Sequence, residues 1–387
     1  MKVVFTGAAG GHFYPLIAIA EALSDLVAER RLVSPKLYYL SDKPYDEQAL
    51  FAHNLQFVRI PAGKVRRYVS FKNVTDAFKT LHGYFVALAT LFRIYPDVVI
   101  SKGSYASVPV VFAASLLRIP VIIHESDAKP GRANLLAAKI AKRIAVSYDS
   151  SIQYFPVKLR GKIARTGIPI RKALQSPAPR EVGIARFSLD TSVPTVLVVG
   201  GSLGSQRINE TLIDALLDIL PHANIIHQTG KNNIEHVESL AKVVLGDSPF
   251  ASRYHALPFL DAESFQAAAG VADVVISRAG ATSIAEISLW QKPAILIPIP
   301  EAISHDQRTN AYAYAHTGAA VVLEENNLTH HVLASEVNRI LNDTATAHAM
   351  AAHAQGFANP NAGRVIAEEI VRITLSHEPN ALTESTT

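Results

Sequence analysis

Short apolar runs alternate with segments of helical periodicity along the chain. The apolar runs are rich in β-branched residues and bordered by turn-forming residues, which favours buried parallel strands over helices. In the first half these runs are KVVF, KLYYL, QFVRI, DVVIS, PVIIHES and RIAVSY. Helical patterns lie between them, for example at 107–118 and 131–142. This alternation predicts a doubly wound α/β sheet.

The pattern restarts after a proline-rich segment at 176–194, which we expect to be an irregular connection. The second series begins with TVLVVGGSLGSQRINETLIDALLDIL and continues with NIIHQTG, VVISRAG, PAILIPIP and AAVVLEE. We therefore predict two Rossmann-like domains facing a cleft, at residues 1–165 and 166–358. Residues 359–387 should form a helix that packs back toward the N-terminal domain, followed by a frayed tail.

Composition narrows the function classes. Of the 387 residues 49% are apolar, enough for two separate cores, and the absence of cysteine excludes disulfides and thiol catalysis. The net charge is only +4 and no long Lys/Arg run is present, so we expect no nucleic-acid partner. The N-terminus lacks a signal-peptide pattern, and no uncharged apolar run reaches the ~20 residues of a spanning helix, which predicts a cytoplasmic protein.

Two glycine-rich loops, GAAGG at 7–11 and GGSLG at 200–204, each follow the first strand of a predicted domain. In doubly wound sheets such loops lie at the carboxyl ends of strands, where a helix start offers free N–H groups to an anion. Neither loop has the G-x-G-x-x-G or P-loop spacing, and each is also compatible with a tight packing turn. Their equivalent positions in both domains favour ligand binding.

His12 follows the first loop at the start of a helical pattern. A neutral imidazole there is a candidate general base for a hydroxyl, since its reference pKa is about 6.5. The alternative is a helix-start histidine that only forms local hydrogen bonds.

The stretch SRAGATSIAEI at 277–287 places Ala281, Thr282 and Ser283 at a helix start. Their N–H groups are candidates to receive a diphosphate. Glu286, one turn later, is a candidate acceptor for ribose hydroxyls, although an acid near a helix start is also favoured by the helix dipole alone. The polar segment 298–311, which contains Gln307, is predicted to be a functional loop.

As a set, these motifs resemble the MurG family, the peptidoglycan N-acetylglucosaminyltransferases. The resemblance is carried in order by GAAGGHFYP, KGSYASVP, HESDAKPGRANLLAAKIAKRIAVSY, TGIPIR, GGSLGSQRIN, HQTGK, SRAGATSIAE and HDQRTNA. It implies a GT-B fold and inverting transfer of GlcNAc from UDP-GlcNAc to undecaprenyl-pyrophosphoryl-MurNAc-pentapeptide, with no metal and no cofactor. Such an enzyme serves peptidoglycan synthesis, and hence cell-wall biogenesis, cell shape and cell division.

The resemblance also implies roles for individual residues. His12 would be the catalytic base. Arg171 would approach the donor, and Ser202 its diphosphate. Leu260 would meet uracil through its backbone, and Gln307 the GlcNAc hydroxyls. The substrate-binding residues expected from it are Ala9, Gly10, Gly11, Asp127, Arg171, Ser202, Leu260, Ala281, Thr282, Ser283, Ile284, Ala285, Glu286 and Gln307.

Three positions depart from the family pattern. Asp127 replaces an asparagine and is a rival base, Leu203 replaces a glutamine, and the order His305-Asp306 is reversed. A related GT-B lipid glycosyltransferase, a nucleotide-sugar epimerase and a non-catalytic nucleotide-sugar-binding subunit therefore stay open. A nicotinamide-dependent oxidoreductase is a remote alternative, supported by an acid, Asp42, after the second strand.

A lipid-linked acceptor implies docking on a membrane. The segment LHGYFVALATLFRIY at 81–95 is apolar and aromatic, too short to span a bilayer and long enough for a surface helix. Basic residues precede it, namely Lys64, Arg66, Arg67, Lys72 and Lys79. We predict peripheral association with the anionic cytoplasmic face of the cell membrane. The alternative is a helix that merely covers the sheet.

Overall fold

A computed structural model describes residues 1–8, 10–64, 71–201, 204–301 and 305–376, without the side chains of residues 71–73 and 305. The chain forms two compact units. Unit 1 comprises Met1–Arg171 together with the chain from Pro360, and unit 2 comprises Lys172–Asn359.

Unit 1 contains a parallel sheet of seven strands in the described residues. The strands are β1 (Lys2–Thr6), β2 (Lys36–Ser41), β3 (Leu55–Arg59), β4 (Val98–Ser101), β5 (Val121–Glu125), β6 (Arg143–Val146) and β7 (Ile163–Arg165). Their order is β3-β2-β1-β4-β5-β6-β7, with every neighbouring pair parallel. The winding direction reverses between β1 and β4, which makes the carboxyl ends of these strands the expected ligand site.

Helices cover both faces of this sheet because side chains alternate between faces along each strand. The helices are α1 (Tyr14–Glu29), α2 (Glu47–Ala52), α3 (Phe71–Ile94), α4 (Val108–Leu116) and α5 (Arg132–Ala138). In β1, Val3 and Phe5 pack into the core beneath α1, whereas Val4 packs into the second core beneath α3 and α4. Pro15 lies in the first turn of α1, where its fixed φ suits the helix.

Unit 2 repeats this architecture with six parallel strands in its described part. They are β8 (Thr195–Val199), β9 (Asn224–Gln228), β10 (Tyr254–Leu257), β11 (Val274–Ser277), β12 (Ala294–Leu296) and β13 (Ala320–Val322). The order is β10-β9-β8-β11-β12-β13, so the switch point lies between β8 and β11. The helices are α6 (Lys172–Gln175), α7 (Arg180–Phe187), α8 (Gln206–Asp214), α9 (Leu216–Ile219), α10 (Ile234–Leu245), α11 (Ala262–Val271), α12 (Ala281–Trp290), α13 (His305–Ala315), α14 (His330–Asn342) and α15 (Thr344–Ala354).

The last helix, α16 (Ala362–Leu375), returns to unit 1 and packs against α1. Ile366 and Ile370 complete the core cluster beneath α1. A Cβ at Gly363 would lie 3.2 Å from the Ala18 carbonyl oxygen, so glycine permits close helix contact. Arg364 and Glu29 form an exposed ion pair at 2.8 Å. The predicted frayed tail, 377–387, lies outside the described residues.

The apolar runs identified in the sequence all form strands, which confirms the predicted α/β fold. Two expectations were wrong. The segment 176–194 is not irregular throughout, because α7 forms there and buries Gly183 and Phe187 against α11. The segment 298–311 is not all loop, because α13 begins at His305 and buries Asn310 one turn later.

Candidate functional site

Gly7 directly follows β1 at the carboxyl edge of the unit 1 sheet, where it lies close to the residue after β4. Its carbonyl oxygen accepts hydrogen bonds from the Tyr39 hydroxyl at 3.0 Å and the Ser41 hydroxyl at 2.8 Å. A Cβ at Gly7 would lie 3.2 Å from both Leu16 Cδ1 and Lys102 Cβ. Glycine therefore lets the β1–α1 loop lie close against α1 and the residue after β4.

His12 ends a short 3₁₀ turn, Gly10–His12, directly before α1 and is half-buried. Its Nδ1 lies 3.3 Å from the Lys102 carbonyl oxygen. A carbonyl can only accept a hydrogen bond, so this contact requires the proton on Nδ1 and leaves Nε2 as the acceptor. Burial and then the Lys102 charge lower the pKa of His12 to about 4, which Asp127 opposes. The ring is therefore neutral at neutral pH and competent to take a proton.

The predicted glycines beside His12 leave an open space. Gly10 has φ +77°, which favours glycine, and a Cβ at Gly10 or Gly11 would meet nothing within 4 Å. Backbone without side chains thus borders His12, as close approach by a ligand requires. Ala9 lies outside the described residues.

The loop after β5 brings two carboxylates to the same edge. Glu125 is buried and accepts hydrogen bonds from the Asp127 N–H at 2.9 Å, the Gly131 N–H at 3.0 Å and the Asn134 amide at 2.9 Å. Burial, followed by the Asp127 charge, raises the pKa of Glu125 to about 7. Asp127 itself is half-buried. Of the two, Asp127 is thus the carboxylate that solvent or substrate reaches.

Arg171 lies at the end of the first segment of unit 1. Its guanidinium stacks over the Tyr14 ring, 4.0 Å from the ring centroid, which is a favourable cation–π geometry. Tyr14 in turn donates a hydrogen bond to Asp46 at 3.2 Å. Within unit 1, Arg171 therefore lies beside Tyr14, the first residue of α1, which is two residues after His12 in the sequence.

The glycine loop of unit 2 is shaped by backbone packing. Gly204 has φ +75°, and a Cβ there would lie 1.9 Å from the Thr229 carbonyl oxygen, so no other residue fits. Gln228 joins this loop to the one after β10, because its amide donates to the Gly201 carbonyl at 3.0 Å and accepts from the Leu260 N–H at 2.9 Å. Because the Leu260 N–H is already bonded to Gln228, a nucleobase that contacts the Leu260 backbone would meet the Leu260 carbonyl oxygen. Ser202 and Leu203 lie outside the described residues.

The start of α12 presents backbone donors at the unit 2 switch point. The first i→i−4 bond of this helix runs from the Ile284 N–H to the Gly280 carbonyl at 3.0 Å, and Gly280 provides no side-chain cap. The N–H groups of Ala281, Thr282 and Ser283 thus precede the helical ladder, at the end of the helix that favours an anion. Ile284 and the adjacent Ala285, also among the predicted site residues, have buried apolar side chains in the described structure and offer only backbone.

Glu286 lies one turn inside α12, four residues after Thr282 and therefore on the same helix face. Only 8% of its surface is exposed. Gln307 lies in the first turn of α13, where its side-chain oxygen accepts from the Ile299 N–H at 3.2 Å. Its amide nitrogen carries two hydrogen-bond donors of the kind that a hydroxylated ligand can accept.

Two basic residues of the site were missed by sequence reasoning. Lys102 and Arg278 each follow a strand that ends in VVIS, and both side chains are largely buried. Both residues could have been identified from the sequence, because each is a basic residue directly after an apolar strand. The carboxyl end of such a strand lies at the ligand-binding edge of the sheet.

One face of α3 is apolar and exposed. Phe78, Leu81, Phe85 and Phe92 form what we term the α3 stripe, with Phe78 69% and Phe92 70% exposed. The opposite face covers the sheet through buried residues such as Leu91. The sheet-covering alternative is therefore confirmed for one face, whereas membrane contact by the exposed face stays a prediction. In the described part of the chain, no helix is both long enough and apolar enough to cross a membrane.

Comparison with known proteins connects both units to one family. The Glycosyltransferase family 28 N-terminal domain matches residues 3–146, and the C-terminal domain of the same family matches residues 195–369. A curated relative from Treponema denticola is 36% identical over 83% of this chain and 83% of its own length. One from Halothermothrix orenii is 36% identical over 93% of this chain and 95% of its own.

Both relatives carry the name UDP-N-acetylglucosamine–N-acetylmuramyl-(pentapeptide) pyrophosphoryl-undecaprenol N-acetylglucosamine transferase. Among solved structures, MurG of Acinetobacter baumannii matches with a TM-score of 0.70 and 26% identity, over 96% of this chain and 99% of that one. The similarity thus extends through both units and is not confined to one glycine loop.

Proposed function

The chain belongs to the MurG family within glycosyltransferase family 28, and we propose that it transfers GlcNAc from UDP-GlcNAc to undecaprenyl-pyrophosphoryl-MurNAc-pentapeptide with inversion. It is a UDP-GlcNAc-dependent glycosyltransferase that converts lipid I to lipid II in peptidoglycan synthesis. The observation that carries this conclusion is the full-length similarity to curated transferases of that name.

A transfer assay tests this function directly. The purified protein is incubated with radiolabelled UDP-GlcNAc and with lipid I or a different undecaprenyl-linked sugar. We expect label in lipid II and stoichiometric release of UDP. Transfer only to the other lipid would instead identify a related lipid glycosyltransferase, and interconversion of the free nucleotide sugar without transfer would identify an epimerase.

We assign the donor to unit 2. The N–H groups at the start of α12 would hold the diphosphate and stabilise the negative charge that develops on UDP as it leaves. Glu286 would accept hydrogen bonds from ribose hydroxyls, and Gln307 would donate to the GlcNAc hydroxyls. Leu260 would accept from uracil through its carbonyl. These roles are supported by helix geometry and by the buried carboxylate.

We assign the acceptor and the base to unit 1. His12 Nε2 takes the proton from the acceptor hydroxyl while that oxygen bonds to the anomeric carbon and the bond from that carbon to UDP breaks. Gly10 and Gly11 supply the backbone border along which the acceptor approaches. Asp127 is the rival base at this edge. The hydrogen bond from Nδ1 to the Lys102 carbonyl leaves Nε2 as an acceptor, which favours His12, and the lowered pKa keeps its ring neutral.

The α3 stripe supports peripheral binding to an anionic membrane. Its phenylalanines are large apolar side chains that are nevertheless exposed. The helix α4, which packs against α3, has two further exposed apolar side chains, Phe112 and Leu116. Lys79 and Arg93 are exposed on α3 itself. At an anionic membrane surface, burial of apolar side chains favours binding, and each nearby basic residue adds about 1 kcal/mol of electrostatic attraction. The predicted basic residues Arg66 and Arg67 lie outside the described residues.

Liposome co-sedimentation tests the membrane proposal. Binding should require anionic lipid, weaken with salt, and be lost when Phe78 and Phe85 are both changed to Ser. Phe51→Ser is the matched control, since Phe51 is 87% exposed on α2 and outside the stripe. Equal binding to neutral vesicles, or equal loss in the Phe51 control, would refute the proposed surface.

A further inference from the structure

We propose that Lys102 is a positioning residue for the transfer reaction. Its carbonyl fixes the His12 ring with Nε2 free to accept a proton, and its buried ammonium disfavours a positive charge on that ring. The inference rests on the proposed function, in which His12 removes the proton from the acceptor hydroxyl. Lys102 itself acts through His12 and has no assigned contact with substrate.

The backbone of Lys102 links β1 to His12. The Lys102 N–H donates to the Thr6 carbonyl at 2.9 Å, and the Lys102 carbonyl accepts from His12 Nδ1 at 3.3 Å. The next residue, Gly103, has φ +84°, and a Cβ there would lie 2.7 Å from the Asn134 side-chain oxygen. The turn that aims the Lys102 carbonyl at His12 is therefore locked by packing on its far side.

The Lys102 side chain is buried among polar groups at the site edge. Only 1% of its surface is exposed, which is rare for lysine unless the ammonium is paired. The ammonium donates to the Ser126 hydroxyl. Burial lowers the pKa of Lys102, whereas Glu125 and Asp127 oppose that shift and favour the charged form.

The charged groups that act on His12 have opposite effects. The Lys102 ammonium lowers the pKa of His12, and the Asp127 carboxylate raises it. His124, which lies behind them with Nε2 at 2.9 Å from the Gly167 carbonyl, also has its pKa lowered by burial and by Lys102, so it stays neutral. If the ammonium is removed, burial still lowers the pKa of His12, but Lys102 no longer offsets the effect of the Asp127 charge. The pKa of His12 should then rise, so that the ring becomes protonated at a higher pH than in the wild type.

Histidine NMR tests this inference without any acceptor. In protein labelled with ¹⁵N-histidine, the His12 signal is assigned by its absence in His12→Ala. Lys102→Met should raise the pKa of His12 by about 1 to 3 units. Lys102→Arg should retain most of the wild-type titration, and Lys158→Met, which removes an exposed lysine of the same unit, should leave it unchanged. An unchanged titration in Lys102→Met would overturn the electrostatic role.

Two further measurements separate positioning from folding. In the wild-type protein at high pH, the ¹⁵N shifts should show the proton on Nδ1, and a proton on Nε2 would overturn the geometric role even if no variant folds. In Lys102→Met, the acid limb of the kcat/KM profile should move to higher pH together with the His12 titration. If the wild type transfers no label to lipid I, the proposed function fails, while the NMR titration still decides the role of Lys102.

Discussion

The two units place a basic residue at the same point of the same topology and use it differently. Lys102 follows β4 and Arg278 follows β11, the strands beside each switch point, and both N–H groups bond to the end of the first strand, at 2.9 and 3.3 Å. Arg278 donates hydrogen bonds to the Ser205 hydroxyl at 2.6 Å and the Ile297 carbonyl at 3.1 Å, and it forms an ion pair with Glu325 at 2.6 Å.

Lys102, in contrast, has one neutral hydrogen-bond partner assigned and lies beside two carboxylates and two imidazoles. The difference shows how one scaffold serves two tasks. In unit 2 the basic residue braces the loops, and we propose that helix N–H groups hold the anion. In unit 1 we propose that it influences the protonation of its neighbours. Equivalent position in a fold therefore does not imply equivalent chemistry.

The largest effect on activity should come from a change of His12, because we assign the proton transfer to unit 1. His12→Ala should lower kcat by about 10²- to 10⁴-fold, because a base acts only in the transition state. UDP affinity, measured by calorimetry, should change little. His222→Ala, an exposed histidine of unit 2, is the control. If Asp127→Asn lowers kcat more than His12→Ala does, Asp127 is the base.

Arg278 should show its role in stability. Arg278→Met leaves Glu325, largely buried, without its cation, and removal of one partner of such a pair is strongly destabilising. We expect the free energy of unfolding, from urea titration, to fall by about 2 to 4 kcal/mol, with the pKa of His12 unchanged. The exposed Arg339→Met is the control. If Arg278→Met instead shifted the pKa of His12, the basic residues of the two units would not have the different roles that we propose.

Glu286 tests the binding role of unit 2. Glu286→Ala removes hydrogen bonds to a charged acceptor, worth about 1.5–3 kcal/mol, so UDP affinity should fall roughly 10- to 100-fold. Calorimetry measures this, and circular dichroism checks that the fold survives. Glu263→Ala, with a side chain that is 86% exposed, should have no effect. Unchanged UDP affinity in Glu286→Ala would remove the ribose assignment.

The smallest effect should come from Ser41. Its hydroxyl is one of two donors to the Gly7 carbonyl, so Ser41→Ala leaves the Tyr39 hydroxyl in place. We expect a loss of about 0.5–1.5 kcal/mol in the free energy of unfolding and little change in kcat. Gln228→Ala breaks two loop contacts in unit 2 and should cost more in the same urea titration. If Ser41→Ala instead cost more free energy of unfolding than Gln228→Ala, the unit 1 loop would depend more on its side-chain hydrogen bond than the unit 2 loop does.

Much of the fold was predictable because strands buried on both faces appear as unbroken apolar runs. The strands β7 and β10 were not predicted, since both lie at sheet edges and are only partly buried. The sequence predicts loop at the start of α13 because the first residues of this helix are polar. Its burial becomes visible only at Asn310 and beyond.

The site was predictable in part for a similar reason. Glycines and helix starts are local features, so the loops and Ala281 could be identified from the sequence. The proton position on His12 could not, because it depends on a carbonyl 90 residues away along the chain. The burial of Lys102 and the raised pKa of Glu125 likewise arise from contacts between separate strands.

The return of α16 to unit 1 has a consequence for biosynthesis. The core beneath α1 includes Ile366, Ile370 and Val371, which leave the ribosome after every residue of unit 2 has been made. Unit 2 is continuous in sequence and is able to complete its core during translation, whereas unit 1 must wait for the last helix. Although translated first, unit 1 is therefore finished last, and a nascent chain stalled before residue 360 would display the unfilled groove along α1 to chaperones and proteases.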